Sequence, residues 1–133
     1  MIKAVIDTNI FISAVFWEGV PKKIVSSALS KSFVGITSKE ILQELEGKLL
    51  NKFHFPQEQT QNYVQLLLQS FELVQPAVKV KVVEDASDNK IIEAAIEAKA
   101  NYIVTSDRHL LKIKKYLRIE ILAPVEFLQK IGL

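Results

Sequence analysis

Residues Tyr102 to Leu111 read YIVTSDRHLL. Three apolar residues, too few and too uniformly apolar for an amphipathic helix, end on Thr105-Ser106-Asp107, and a short apolar-periodic stretch follows. The chain opens with the same design. In KAVIDTNIFI, Lys3 to Ile12, the apolar residues up to Ile6 run straight into Asp7. A short run with no polar face is a strand covered on both sides, which is the environment of a parallel sheet between helices. A carboxylate costs several kcal/mol to bury without a partner. Two strands that each stop on an aspartate therefore raise two readings. Each acid caps the helix that follows, stabilising it by roughly 1 kcal/mol, or the acids meet around a positive charge.

The rest of the chain extends the alternation. Strands are expected at Ile2–Ile6, Phe33–Ile36, Tyr102–Thr105 and Ile119–Leu122. Helices are expected from Asn9 to Phe16, from Pro21 to Leu29, and from the N-cap Ser38 through Ile41, Leu42, Leu45 and Leu49. Further helices are expected behind Pro56 (with Tyr63, Leu66, Leu67 and Phe71 as the apolar stripe), from Asp88 to Ala100, from Leu110 to Tyr116, and after Pro124. Val78, Val80 and Val82 alternate with Lys79 and Lys81, which fits an edge strand or an extended connection. The fold class is α/β: a three-layer α/β/α sandwich around a parallel sheet of about five strands, in one domain spanning 1–133. In such sheets ligands sit beyond the carboxyl ends of the strands, where Asp7 and Asp107 fall.

Composition narrows the function classes. The chain has 133 residues, 49% of them hydrophobic, and no cysteine. That excludes disulfides and thiolate metal sites, and it fits a reducing, cytoplasmic setting. No apolar run approaches the roughly 18–20 residues of a membrane span, and the first residues do not read as a secretory signal. The formal charge is +2; setting four of the 15 acids aside leaves 11 against 17 bases, a balance of +6. Arg108, Lys112, Lys114, Lys115 and Arg118 form a late basic run, either a solvated face or a phosphate-contacting one.

Two more acidic segments matter. In VEDASDNKIIEAAIEA, Glu84, Asp85 and Asp88 crowd one helix start, with Ser87 as a candidate cap that frees Asp88. In SKEILQELEGKLL, Glu44 and Glu46 lie on opposite shoulders of the apolar stripe, and Glu40 lies farther round; helical periodicity does not choose between the shoulders. Oxygen-only ligands select hard cations, Mg²⁺ or Mn²⁺, and such ions serve phosphodiester hydrolysis. His54 and His109 lack zinc-ligand spacing. No phosphate-cradling glycine motif or nucleophile elbow is present.

Four segments in order, AVIDTNIFIS, SKEILQEL, DASDNKIIEAA and YIVTSDRHLL, together resemble the PIN-domain family, and most closely its VapC-like toxin branch. The similarity extends to IEILAPVEFL near the end. The resemblance implies a parallel five-stranded sheet and Mg²⁺- or Mn²⁺-dependent hydrolysis of RNA. It implies a protein antitoxin as partner and a homodimer or higher homo-oligomer. It assigns the metal-binding and catalytic acids to Asp7, Glu44, Asp88 and Asp107, with Asn9 and Thr105 orienting the carboxylates. Asp85 stands beside them as an additional acid, and in-line attack on phosphorus is expected to leave 5′-phosphate and 3′-hydroxyl ends. Arg108 and Lys112 are candidate RNA contacts. Three positions depart from the family pattern: Ser106 replaces a common glycine, Ala86 a common proline, and His109 an acid, so a second metal position lacks one of its ligands. Two other classes compete. A phosphotransfer domain of the haloacid type needs an acid where Asn9 stands, and one of the receiver type needs a lysine after the last strand. A non-catalytic interaction or RNA-binding module would keep the acids as caps. Phe16 and Trp17, at a helix end, are either core residues or anchors for a partner.

Overall fold

The short apolar runs do pair as parallel strands. The computed structural model describes all of Met1–Leu133. Its sheet contains β1 (Lys3–Ile6), β2 (Val34–Ser38), β3 (Glu72–Val74), β4 (Tyr102–Val104), β5 (Lys115–Tyr116) and β6 (Ile119–Leu122). Their spatial order is β3-β2-β1-β4-β6-β5. The first five in that order are parallel, and only the two-residue β5 runs antiparallel to its neighbour β6. The parallel five-stranded core is as expected; the antiparallel sixth strand at the edge is an addition.

The helices are α1 (Thr8–Phe16), α2 (Val20–Leu29), α3 (Lys39–Gly47), α4 (Gln57–Ser70), α5 (Ala86–Ala98), α6 (Arg108–Leu111) and α7 (Pro124–Ile131), with a π-helical turn at Lys48–Lys52 prolonging α3. Chain order runs outward from β1 to β3, then jumps back across the sheet to β4. With right-handed crossovers, this reversal puts α1 and α2 on one face and α5 on the other. α5 packs across β1 to β4, while α2 packs on β2, α1 and α7. α3 touches both α1 and α5. A helix in contact with elements on opposite faces lies over the sheet edge, and this brings Glu44 to the strand ends. The core is one cluster that includes Val5, Ile6, Phe11, Ile36, Leu45, Ile92, Ile103 and Phe127.

Of the two readings of Val78–Val82, the extended connection holds: the segment pairs with no strand and runs as an extended strap along α5. The strand beside β2 is β3, paired as Ile36↔Glu72, Thr37↔Leu73 and Ser38↔Val74. The amides of Ala77 and Val80 donate to Glu97 Oε1 (2.9 Å) and Glu93 Oε2 (3.0 Å). Those of Val82 and Val83 donate to Asn89 Oδ1 at 2.9 and 3.0 Å. Acceptors at 89, 93 and 97 recur with the helical period, so one stripe of α5 does what a neighbouring strand would do. One expectation needs correction, the helix at Leu110–Tyr116. α6 is a single turn, because Lys114 and Leu117 take left-handed φ values of 67° and 54°, which stop the helix and turn the chain into the β5–β6 hairpin.

Candidate active site

β1 and β4 are neighbours (Ile6↔Val104), and the connections from them leave in opposite directions. Their carboxyl ends therefore border the crevice where α/β sheets bind ligands. Asp7 is the first residue past β1. It occupies the N-cap position of α1, yet its side chain makes no capping bond. Instead Thr105 Oγ1 donates to Asp7 Oδ2 at 2.6 Å, and the same hydroxyl accepts from the Asp107 amide at 3.0 Å. Thr105 is fully buried. It locks the two acids to a common point although they lie far apart in sequence.

Asp107 does cap. Its Oδ1 accepts from the amides of His109 (2.7 Å) and Leu110 (3.3 Å), which leaves Oδ2 for another role. At the start of α5 the cap is Asp85 rather than Ser87: Asp85 Oδ1 accepts from the Ser87 amide (2.9 Å) and hydroxyl (2.6 Å). Those bonds hold the Asp85 carboxyl below its ordinary range. Asp88, in the first turn, is buried, and its Oδ2 has no hydrogen-bond partner. Burial, followed by the charges of Asp107, Asp85, Asp7 and Glu44, pushes its pKa up to about 6. Asp7 is also raised, by burial first; the Thr105 hydrogen bond lowers it, and Glu44 and Asp107 raise it. Asp7 and Asp88 thus each lie in the field of both Glu44 and Asp107. Glu46 is on the far side of α3, in a hollow with Lys39, Leu42 and Val64, which resolves the two shoulders in favour of Glu44.

Asn9 makes no direct hydrogen bond to a carboxylate. Its Oδ1 accepts from Lys48 Nζ at 3.4 Å, and the same ammonium stands 3.9 Å from Glu44 Oε2. The field of Lys48 also lowers Asp85. The sequence signal for Lys48 is its spacing of four from Glu44. Arg108 and Lys112 are exposed on and just after α6. Phe16 and Trp17 are exposed rather than core, 37% and 61% respectively, and Phe16 is the hub of an aromatic cluster with Trp17, Phe53 and Phe55.

The donor chemistry fits a hard divalent cation: carboxylate oxygens only, one of them buried without a partner, and mutual repulsion that a cation would relieve. The side chains are gathered but not closed into a ligand cage, since no three of them converge to metal-binding geometry. Thr105→Val should test the linchpin. Losing the hydroxyl frees the Asp7 carboxylate and strands the Asp107 amide, so Mn²⁺ affinity measured by calorimetry should fall about 10-fold or more; Thr105→Ser should retain it.

Comparisons with known proteins agree with this frame. The uncharacterized protein MJ1680 of Methanocaldococcus jannaschii is 34% identical over 142 residues, covering 97% of this chain and 91% of that protein. A chain of the crystal structure of VapBC2 from Rickettsia felis, bound to a DNA fragment from their promoter, shares the fold. Its TM-score is 0.66 at 17% identity, with 92% of this chain and 98% of that chain covered. A family profile described as PIN domain matches residues 3–109, a span that holds all four acids, and the chain belongs to the PIN domain family.

Proposed function

We propose that this protein is a Mg²⁺- or Mn²⁺-dependent endoribonuclease and the toxin of a toxin–antitoxin pair, inhibited by a protein antitoxin and acting as a homodimer or higher homo-oligomer. The observation that carries the enzymatic reading is the Asp7–Thr105–Asp107 linkage across β1 and β4, with the unpartnered Oδ2 of Asp88 in the field of both acids. Asp7, Asp88 and Asp107 would hold the ion, and Glu44 would either complete the set or accept the proton of the attacking water. When bound, the ion supplies charge stabilisation at the scissile phosphate and lowers the pKa of water.

The chain's own residues do the positioning. Thr105 fixes one oxygen of Asp7 and the backbone of Asp107, so neither acid has to be ordered when the cation arrives. The α6 cap occupies Oδ1 of Asp107 and thereby aims Oδ2. Lys48, 3.9 Å from Glu44 Oε2, would offset part of that carboxylate's charge. Water attacking phosphorus in line releases a 5′-phosphate and a 3′-hydroxyl. A bound helix-cap role alone does not account for Asp7, which caps nothing, or for Asp88, whose oxygen is unpaired.

The test is Mn²⁺ titration by calorimetry beside Asp7→Asn and Asp107→Asn. Wild type should bind in the micromolar to low-millimolar range and both variants should lose binding. Cleaved RNA should carry 5′-phosphate ends. Variants that bind Mn²⁺ as wild type does would sink the shared site, and 2′,3′-cyclic phosphate ends would sink the chemistry.

A further inference from the structure

The strap over α5 has a second property. In an extended chain, residues two apart point the same way about 7 Å apart. Val80 and Val82 pack on the core, while Lys79 and Lys81 are exposed. Neither lysine forms an ion pair, and nor does the nearby Lys90 of α5; the four ion pairs are Lys3–Glu72, Lys22–Glu18, Lys48–Glu44 and Lys130–Glu120. These three lysines line one groove of about 880 Å³ together with Val82, Val83 and Glu84. The same Val82, Val83 and Glu84 line an adjoining hollow of about 510 Å³ that continues to Asp85, Asp88 and His109. Of the acids in the basic groove, Glu93 already accepts the Val80 amide, and Glu84 marks the junction.

A trough whose cationic half opens into a carboxylate pocket suits one kind of ligand. The ligand must be anionic at regular intervals, and long enough to be held by the lysines while one of its groups sits among the acids. Because the strap is pinned to α5 at four amides, its lysines stand on a fixed template rather than a loose loop. We propose that the strap groove is the substrate track: Lys79, Lys81 and Lys90 hold successive phosphates of single-stranded RNA on one side of the scissile bond. This rests on the ribonuclease reading and places the main phosphate contacts here, not in the late basic run.

The probe is a short fluorescent mixed-sequence single-stranded RNA, bound by anisotropy in EDTA so that cleavage does not intervene. The triple variant Lys79→Gln/Lys81→Gln/Lys90→Gln should bind about 10-fold or more weakly at physiological salt. The slope of log K against log[salt] should shrink by about 2, at roughly 0.7 per phosphate contact on a single strand. A second triple variant, Lys112→Gln/Lys114→Gln/Lys115→Gln, carries the same charge change and should lose less than half as much. Equal losses in the two variants, or wild-type affinity and slope in the first, would overturn the track. So would polyglutamate competing as well as RNA at equal charge, which would assign the groove to an acidic protein segment. Cleavage of the same RNA with Mn²⁺ separates the two levels. If wild type cleaves and the strap variant cleaves equally well, the track fails while the nuclease stands; if wild type neither binds Mn²⁺ nor cleaves, the nuclease reading itself has failed.

Discussion

Asp88→Asn is expected to lower RNA cleavage by about 100-fold or more while making the metal-free protein melt higher. The two effects share one cause. Asp88 is buried beside other acids, and its pKa sits at about 6 against an ordinary value of 3.8. Between those values the folded chain holds a proton that the unfolded chain has released. Stability therefore falls as pH rises from about 4 through about 6, and then levels off. Asparagine carries no charge and escapes that loss, so in EDTA the variant's advantage should be fully present above pH 6 and absent near pH 4. One side of the carboxyl opens on the hollow with His109, and solvent screens it there. The gain should accordingly be no more than about 1 kcal/mol, or roughly 4 °C in a domain of this size.

Saturating Mn²⁺ should reverse the order. At 100 times its dissociation constant a ligand adds about 2.7 kcal/mol to the state that binds it, and only the wild type is expected to bind well. Melting curves at pH 4.5 and pH 8, each with EDTA and with Mn²⁺ at the higher pH, test all of this in one series. An Asp88→Asn protein that melts lower than wild type in EDTA at pH 8 would mean that the carboxylate is an ordinary structural group. Instability traded for function is common at active sites.

The second large effect is on folding alone. A methyl group placed on Gly35 in β2 would overlap Cε2 of Phe71, and all three nearest atoms belong to that ring. Phe71 is buried and meets Phe11 edge-on at 5.4 Å, so the ring has little room to retreat. Gly35→Ala should cost about 2–3 kcal/mol and lower the melting temperature by roughly 10 °C. Pairing it with Phe71→Leu should give a total cost smaller than the sum of the two single changes. That coupling, from a double-mutant cycle, distinguishes a ring clash from a mere loss of strand flexibility. Strictly additive costs would refute the clash.

The fold's centre was legible because β1 and β4 carry the signal of doubly covered strands, and because Asp7 and Asp107 fall where such strands end. The VapC-like resemblance supplied Glu44 as the second acid, and the packing of α3 against both α1 and α5 is what physically brings that residue inward. What stayed hidden depends on partners distant in sequence. The alternation of valine and lysine over Val78–Val82 reports extended backbone, not what its amides pair with, so the helical acceptors on α5 were invisible. The spacing of Leu110 and Ile113 fits a longer helix; nothing in residue type announces left-handed backbone at a lysine and a leucine. Asn9 matched the polar position of the family pattern by its place in the motif, and the contact it makes is set by Lys48, a residue of another helix.

The Thr105–Asp7 hydrogen bond joins residues 98 positions apart, and that separation bears on synthesis. At about 5–20 residues per second, a ribosome that has made Asp7 needs roughly 5 to 20 s more before Asp107 exists. Throughout that interval β1 has no β4 beside it and three of the acids have no fixed relation to the fourth. Closure of so long a loop also belongs to the slow class of folding events. Each newly made chain therefore stays without a complete acidic site until Asp107 has been added, a built-in delay that a site drawn from one contiguous motif would not have.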